Sequence, residues 1–345
     1  MDGPVEHAAY AERVVLQRHL RRVWAVPGTA LGRTAWPAQA RHRSFLTWDY
    51  WWQAQLLDAL VDAQLRAPSE HRRRQVVALV RGHRLRNLGG WTNAYYDDMA
   101  WLGLALLRAG EVGVRRPRAV AVLARTLRAA ADDSPGVALP WRRGDTVRNV
   151  PANGTAALLF ARLGDMVRAQ AIVDWIDAEL VDDGSGLVLD GIRDDQPPDP
   201  EVYTYCQGIV LGLETELAVR TGEPRHAARV CRLVPAVADV LAPGLVLQGC
   251  GGGDGGLFAG ITARYLTVVA RRLPGQDRRA RQARELAGQL VRTSADAAWA
   301  HRTGAPDPGR FGVQWSLPTT DAPADLSVQL SAWLLLEAAA ALPRP

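Results

Sequence analysis

Apolar residues recur at i, i+3, i+4 and i+7 along almost the whole chain, and strict alternation, the mark of a half-buried strand, is nearly absent. The pattern predicts about twelve helices, over 5–24, 44–66, 69–86, 95–110, 116–131, 152–163, 165–180, 204–221, 224–241, 255–273, 276–299 and 325–341. Links after the even helices are short: Ala67 and Pro68, Glu111 to Arg115, Gly164, Gly222 and Glu223, Pro274 and Gly275. Short links make antiparallel neighbours, so the chain reads as a series of helical hairpins. A faint repeat agrees, because Ala109-Gly110-Glu111, Leu163-Gly164-Asp165 and Thr221-Gly222-Glu223 each stop one helix with glycine and start the next with an acid.

Six such hairpins predict a single all-α domain over residues 1–345, an (α/α)6 barrel with even helices inside and odd helices outside. An open superhelix of hairpins has the same periodicity, so closure is an inference from the number of hairpins. In the barrel all the long links lie at one end, feeding the amino ends of the inner helices. They carry Thr47 to Trp52, the Asp97 and Asp98 cluster, Trp141 to Asn153, Asp190 to Gln207, the Gly251 to Asp254 loop with Phe258, and Phe311 to Trp315 before Asp325. One face therefore concentrates Trp, Tyr, Asp and Asn, and the other has plain tight turns.

Composition narrows the class. The 345 residues are 48% hydrophobic and 22% charged, which is globular. The net charge of +5 would suggest nucleic acid. Yet the chain has no lysine and its arginines are scattered in pairs and triples such as Arg72-Arg73-Arg74 and Arg271-Arg272, so no nucleic acid partner is expected. Cys206, Cys231 and Cys250 are odd in number and lack metal-ligand spacing, and they read as reduced thiols. The seven histidines show no H-E-x-x-H pattern, so neither a metal nor an organic cofactor is expected. Met1 to His7 carries acids rather than the apolar stretch of a signal peptide, and no apolar run is long enough to span a bilayer. These features predict a cytoplasmic protein without membrane insertion, or an extracellular one should a leader precede this chain; a monomer is favoured.

The stretch from Trp91 to Trp101 sets two adjacent carboxylates, Asp97 and Asp98, among aromatic rings. Cleaving a glycosidic bond takes one carboxylic acid to protonate the leaving oxygen and one carboxylate to stabilise or capture the anomeric carbon. Aromatic faces supply the flat apolar surface on which a pyranose packs. The plain alternative is two acids opening a helix, where the dipole favours negative charge. Neighbours in mid-helix point about 100° apart, but in the first turn both can lean over the amino end toward one substrate. Mutual repulsion then raises one of the two pKa values and supplies a proton donor.

Other residues of the long links read two ways. Trp48 and Asp49 suit a sugar cleft, while Trp51 and Trp52 suit a core equally well. Asn149 and Asn153 fit a turn and an N-cap as well as sugar contacts. Asp190 before Gly191 fits a turn or a site, and Gln207 is placed to bind a hydroxyl. Tyr205 and Phe258 are candidate stacking rings. The run Gly251 to Gly256 lacks the Gly-Lys-Ser/Thr ending of a phosphate loop and reads as a flexible loop at the cleft.

Asn93, Tyr96, Asp97, Asp98 and Trp101, in that order on an inner helix, resemble the signature of glycoside hydrolase family 76, the endo-acting α-1,6-mannanases. The Trp-rich helix from Trp48 to Leu57, Arg148 and Asn149 with Asn153 and Gly154, Gly186 to Ile192, and Tyr203-Thr204-Tyr205 before Gln207 and Gly208 extend the likeness over roughly residues 40–320. The resemblance implies an (α/α)6 barrel that hydrolyses α-1,6-linked mannan or mannooligosaccharide with retention, Asp97 as nucleophile and Asp98 as general acid/base. Cys206, Ala259 and Met99 stand where the family often has Asn, Lys and an acidic residue, which bears on substrate length and fine specificity. Two other readings remain: a glycan-binding or transglycosylating protein with the same cleft, and a sugar epimerase, which needs histidines where the inner links offer only His42 and His301.

Overall fold

The computed structural model describes residues 3–132, 137–194, 196–304, 309–320 and 324–343. Its twelve long helices are α1 (Pro4–His19), α2 (Tyr50–Arg66), α3 (Glu70–Arg86), α4 (Tyr96–Glu111), α5 (Pro117–Asp132), α6 (Val150–Arg162), α7 (Met166–Glu179), α8 (Thr204–Thr221), α9 (Pro224–Leu241), α10 (Phe258–Arg272), α11 (Arg278–His301) and α12 (Leu326–Ala340). The even helices pack side by side in sequence order and α12 returns to pack on α2, so the barrel is closed. Each odd helix lies outside, against the inner helix before it, and α1 lies against α12. The burial pattern matches: α8 and α12 are buried on nearly every side, whereas α5 and α9 present one apolar face.

Closure needs inner helices that approach closely, and glycine allows it. A Cβ on Gly208 of α8 would stand 2.8 Å from the Thr262 Cα of α10, and one on Gly154 of α6 would collide with Ile209 of α8. At the short-turn end the inner helices finish in arginines, Arg66, Arg108, Arg162, Arg220 and Arg272 among them, which suits the negative end of each dipole. Asp62 holds both Arg108 and Arg264 at 2.5 Å, and Glu12 and Glu337 hold Arg66 at 2.6 and 2.9 Å. Some of the arginines that look scattered in sequence are thus a partly buried ionic floor.

Three boundaries differ most from the sequence expectation. The first helix stops at His19 rather than residue 24, because Leu20–Arg21 (β1) pairs antiparallel with Leu31–Gly32 (β2). The second begins only at Tyr50, since Asp49 takes a left-handed φ of 45° and Ala40–Arg43 forms a separate helical turn. A 3-10 turn over Gly253–Leu257 precedes α10. The near absence of strand needs a second amendment besides the β1–β2 pair. Val147–Asn149 (β3) pairs with Gly191–Arg193 (β4), tying two of the long links together beside the cleft.

Candidate active site

The amino ends of the inner helices surround an open cleft of about 460 Å³. Asp97 and Asp98 occupy the first turn of α4, at this end and away from the short turns. The link before α6 folds back over that turn. Arg143 N donates to the Ala94 carbonyl at 2.9 Å and Tyr96 N to the Trp141 carbonyl at 3.0 Å. This lays the Trp141 indole on the acids, with its Nε1 donating to Asp97 Oδ2 at 3.1 Å, while Asp97 Oδ1 accepts the Asp98 N–H at 2.9 Å. Asp98 is buried, and its Oδ2 accepts from the Asn93 carboxamide, whose Oδ1 is fixed by the Tyr95 N–H at 3.0 Å.

Burial raises both acids, but unequally. Asp97 rises from 3.8 to about 6, held down by the hydrogen bonds it accepts from Asp98 N and Trp141. Asp98 is pushed well above the usual carboxylate range by burial and then by the charge of Asp97, with the Asn93 bond opposing. The pair thus sets a more readily ionised Asp97 beside an Asp98 that holds its proton to higher pH, which suits the first as nucleophile and the second as proton donor.

The cleft wall is aromatic. Tyr205 stacks on Phe258 with centroids 3.8 Å apart and planes 5° from parallel, and Tyr203 meets the Phe258 ring edge-on at 5.4 Å. Trp51, Trp101 and Trp141 line the same space, with Asn149, Asp190 and Asp254 as polar groups. Asp190 is lifted to about 6 by burial and receives the Cys206 thiol at 3.5 Å. Asp49 is lifted to about 6 by burial and by the charges of Asp254 and Asp325.

Several residues singled out from sequence sit elsewhere. Trp48 packs edge-on against Tyr50 and His83, with Arg86 over its ring at 5.1 Å, and does not line the cleft. Asn153 is wholly buried, its carboxamide spent on the Leu139 N–H and carbonyl and on the Asn149 carbonyl. Gln207 is likewise buried, clipping the Val188 N–H and carbonyl and the Tyr203 carbonyl. Neither has a group left for a hydroxyl. The helix starts two residues early, so Asn149 is the N-cap, accepting from Ala152 N at 3.2 Å while still facing the cleft. Tyr96 packs half-buried against the core, and Asn93 meets the acid pair by its bond to Asp98 without lining the cleft.

Asp254 is the main residue that sequence reasoning missed. Its Oδ1 accepts the indole N–H groups of Trp51 at 3.0 Å and Trp52 at 2.7 Å, fixing one wall of the cleft. The available signal was an acid within a glycine run just before an inner helix. The histidines of the inner links take no part in the cleft: His42 packs onto the turn at Gln39, and His301 Nδ1 bonds the Trp315 carbonyl at 2.7 Å.

Fold and site together are those of a closed (α/α)6 barrel with an acid pair in an aromatic cleft at one mouth. The profile of glycosyl hydrolase family 76 matches residues 11–344, and the chain belongs to that family. The α-1,6-mannanase GH76A of Salegentibacter sp. HEL1_6 is 28% identical, with a TM-score of 0.86 over 98% of this chain and 99% of that one. Its inactive variant with two consecutive aspartates replaced by asparagine, in complex with α-1,6-mannotriose, is 27% identical with a TM-score of 0.85 over the same shares. Among curated proteins, the mannan endo-1,6-α-mannosidase DCW1 of Saccharomyces cerevisiae is 27% identical over 281 residues, 72% of this chain. The chain spans 61% of the length of that relative.

Proposed function

We propose that this chain is a retaining, endo-acting hydrolase of α-1,6-mannosidic bonds in mannan or mannooligosaccharides. The observation that carries the reading is the adjacent pair of Asp97, which lines the aromatic cleft, and Asp98, buried beside it and pushed to hold its proton to higher pH. Ionised Asp97 attacks the anomeric carbon while Asp98 protonates the departing oxygen. Asp98, then a carboxylate, takes a proton from water, and the hydroxide so formed displaces Asp97. Tyr205 with Phe258, and Trp51, Trp101 and Trp141, offer faces for the flanking mannose rings. The α-1,6-mannooligosaccharide bound by the Salegentibacter relative supports the substrate class.

Proton NMR during the first turnovers on α-1,6-mannotetraose tests the stereochemistry. The α-anomer is expected first, mutarotating later, and a β-anomer first means inversion with a different partner for one acid. The pH profile tests the protonation states. kcat/KM is expected to rise with pH through about 6 as Asp97 ionises, and to fall at higher pH as Asp98 loses its proton. A profile that declines from pH 5 upward contradicts an ionised nucleophile.

A further inference from the structure

Residues 13–48 and 71–96 hold thirteen arginines and no aspartate or glutamate, in a chain with 36 acids. The two segments meet in the fold, where Arg86 Nη2 donates to the Leu46 carbonyl at 3.3 Å and Ala30 N to the Ala78 carbonyl at 2.9 Å, and within the first segment Trp24 Nε1 donates to the Ser44 carbonyl at 2.8 Å. Arg72, Arg73 and Arg74 pair with Glu12 and Glu70 at the far end of α3. At the cleft end, Arg22, Arg41, Arg43, Arg81 and Arg84 are exposed. Arg43 and Arg84 bond backbone carbonyls, those of Ala38 at 2.9 Å and Gly89 at 3.0 Å.

Large apolar side chains stand out of this basic face: Leu88 is 90% exposed, Leu46 73% and Trp24 48%. The loops that carry them are strained. Trp24, Phe45 and Leu88 have φ of 48°, 56° and 53°, a left-handed conformation that costs free energy for most side chains and is eased only for glycine and, less so, asparagine and aspartate. Nothing in the core rewards an exposed leucine held this way.

We propose that this rim is a docking surface for an anionic lipid bilayer, with Trp24, Leu46 and Leu88 entering the interface and the exposed arginines facing lipid phosphates. Tryptophan and leucine among basic residues are the composition of an interfacial anchor, and each basic residue near an anionic surface adds attraction. A nucleic acid would use the charge but has no use for leucine tips, which offer no face for stacking. The chain lies on the surface; no helix of the described residues is long and apolar enough to cross it. The same loops lead into Asp49 at the start of α2 and the turn of Asp97, so docking turns the cleft toward the headgroup layer.

Sedimentation with vesicles tests the proposal. The protein is expected to bind phosphatidylcholine vesicles containing phosphatidylglycerol at least about tenfold more tightly than phosphatidylcholine alone, and to release as salt shortens the screening length. Leu46→Ser with Leu88→Asn, the latter tolerant of a left-handed φ, should weaken binding at least about tenfold while circular dichroism stays unchanged. Replacing Arg22, Arg43 and Arg81 by glutamine should cost about a hundredfold. Failure to sediment with either vesicle, equal binding to both, or full binding by the leucine variant overturns the proposal. Tighter binding to duplex DNA than to the vesicles in the same buffer overturns it too.

Discussion

Asp97→Asn is expected to lower kcat on α-1,6-mannotriose by at least about a thousandfold, and activated substrates should not recover it. Without the nucleophile no glycosyl-enzyme forms, and the quality of the leaving group then matters little. Asp98→Ala should fail differently. It lacks the proton donor, which a natural sugar leaving group needs and a nitrophenolate does not, so an activated aryl mannoside should still glycosylate Asp97. Deglycosylation then lacks its base, and added azide, a nucleophile that needs no deprotonation, should speed release as α-mannosyl azide. The structural ground for this division is the asymmetry of the pair: Trp141 and Asp98 N hold charge on Asp97, while Asp98 lies deeper against it. Should azide instead rescue Asp97→Ala with an α-configured product, the mark of an intact glycosyl-enzyme, while Asp98→Ala stays inactive on every substrate, the roles are reversed.

The helices and the end of the barrel that carries the chemistry were legible because both rest on local rules. A 3.6-residue period marks each helix, and glycine followed by an acid marks the short hairpins, so the long links had to share one face. Asp97 and Asp98 were legible for the same reason, since adjacent acids can act together only in a first turn. Closure was not, because it depends on contacts such as Gly208 against Thr262 that no periodicity encodes.

Amide side chains were the weakest point. Asn153 and Gln207 lie in the first turns of inner helices, where a carboxamide can serve a sugar or clip the incoming link, and both clip it. The choice turns on whether the link's backbone has another partner, which is a tertiary fact. Trp48 was misplaced because its neighbour Asp49 breaks the helical register with a positive φ, turning the indole to His83 instead of the cleft. Asp254 was hidden by its glycines, although its Oδ1 takes two indole N–H groups at once.

The variant that should destroy activity is also expected to stabilise the fold. Asp97 titrates at about 6 in the folded protein against 3.8 for an unperturbed carboxylate. Between these values the folded state binds the proton more tightly than the unfolded chain does, so stability falls as pH rises through that window, and the loss is complete above it. The rise corresponds to about 3 kcal/mol at neutral pH, to order of magnitude. Asparagine keeps one of the two acceptors, its carbonyl oxygen for the Asp98 N–H, and gives up the Trp141 indole bond, but it carries no charge to bury, and the relief of that burial is the larger effect. Asp97→Asn should therefore melt about 3–6 °C above the parent at pH 7.5, by thermal unfolding followed with circular dichroism. The advantage should shrink toward pH 4, where the folded parent's carboxyl is protonated and the unfolded chain's is beginning to be, and vanish below that. A strained, charged group kept at a cost in stability is what a catalytic site requires of a scaffold. If the variant melts at or below the parent at pH 7.5, the burial of Asp97 is not what raises its pKa, and the assignment of an ionised nucleophile loses its electrostatic basis.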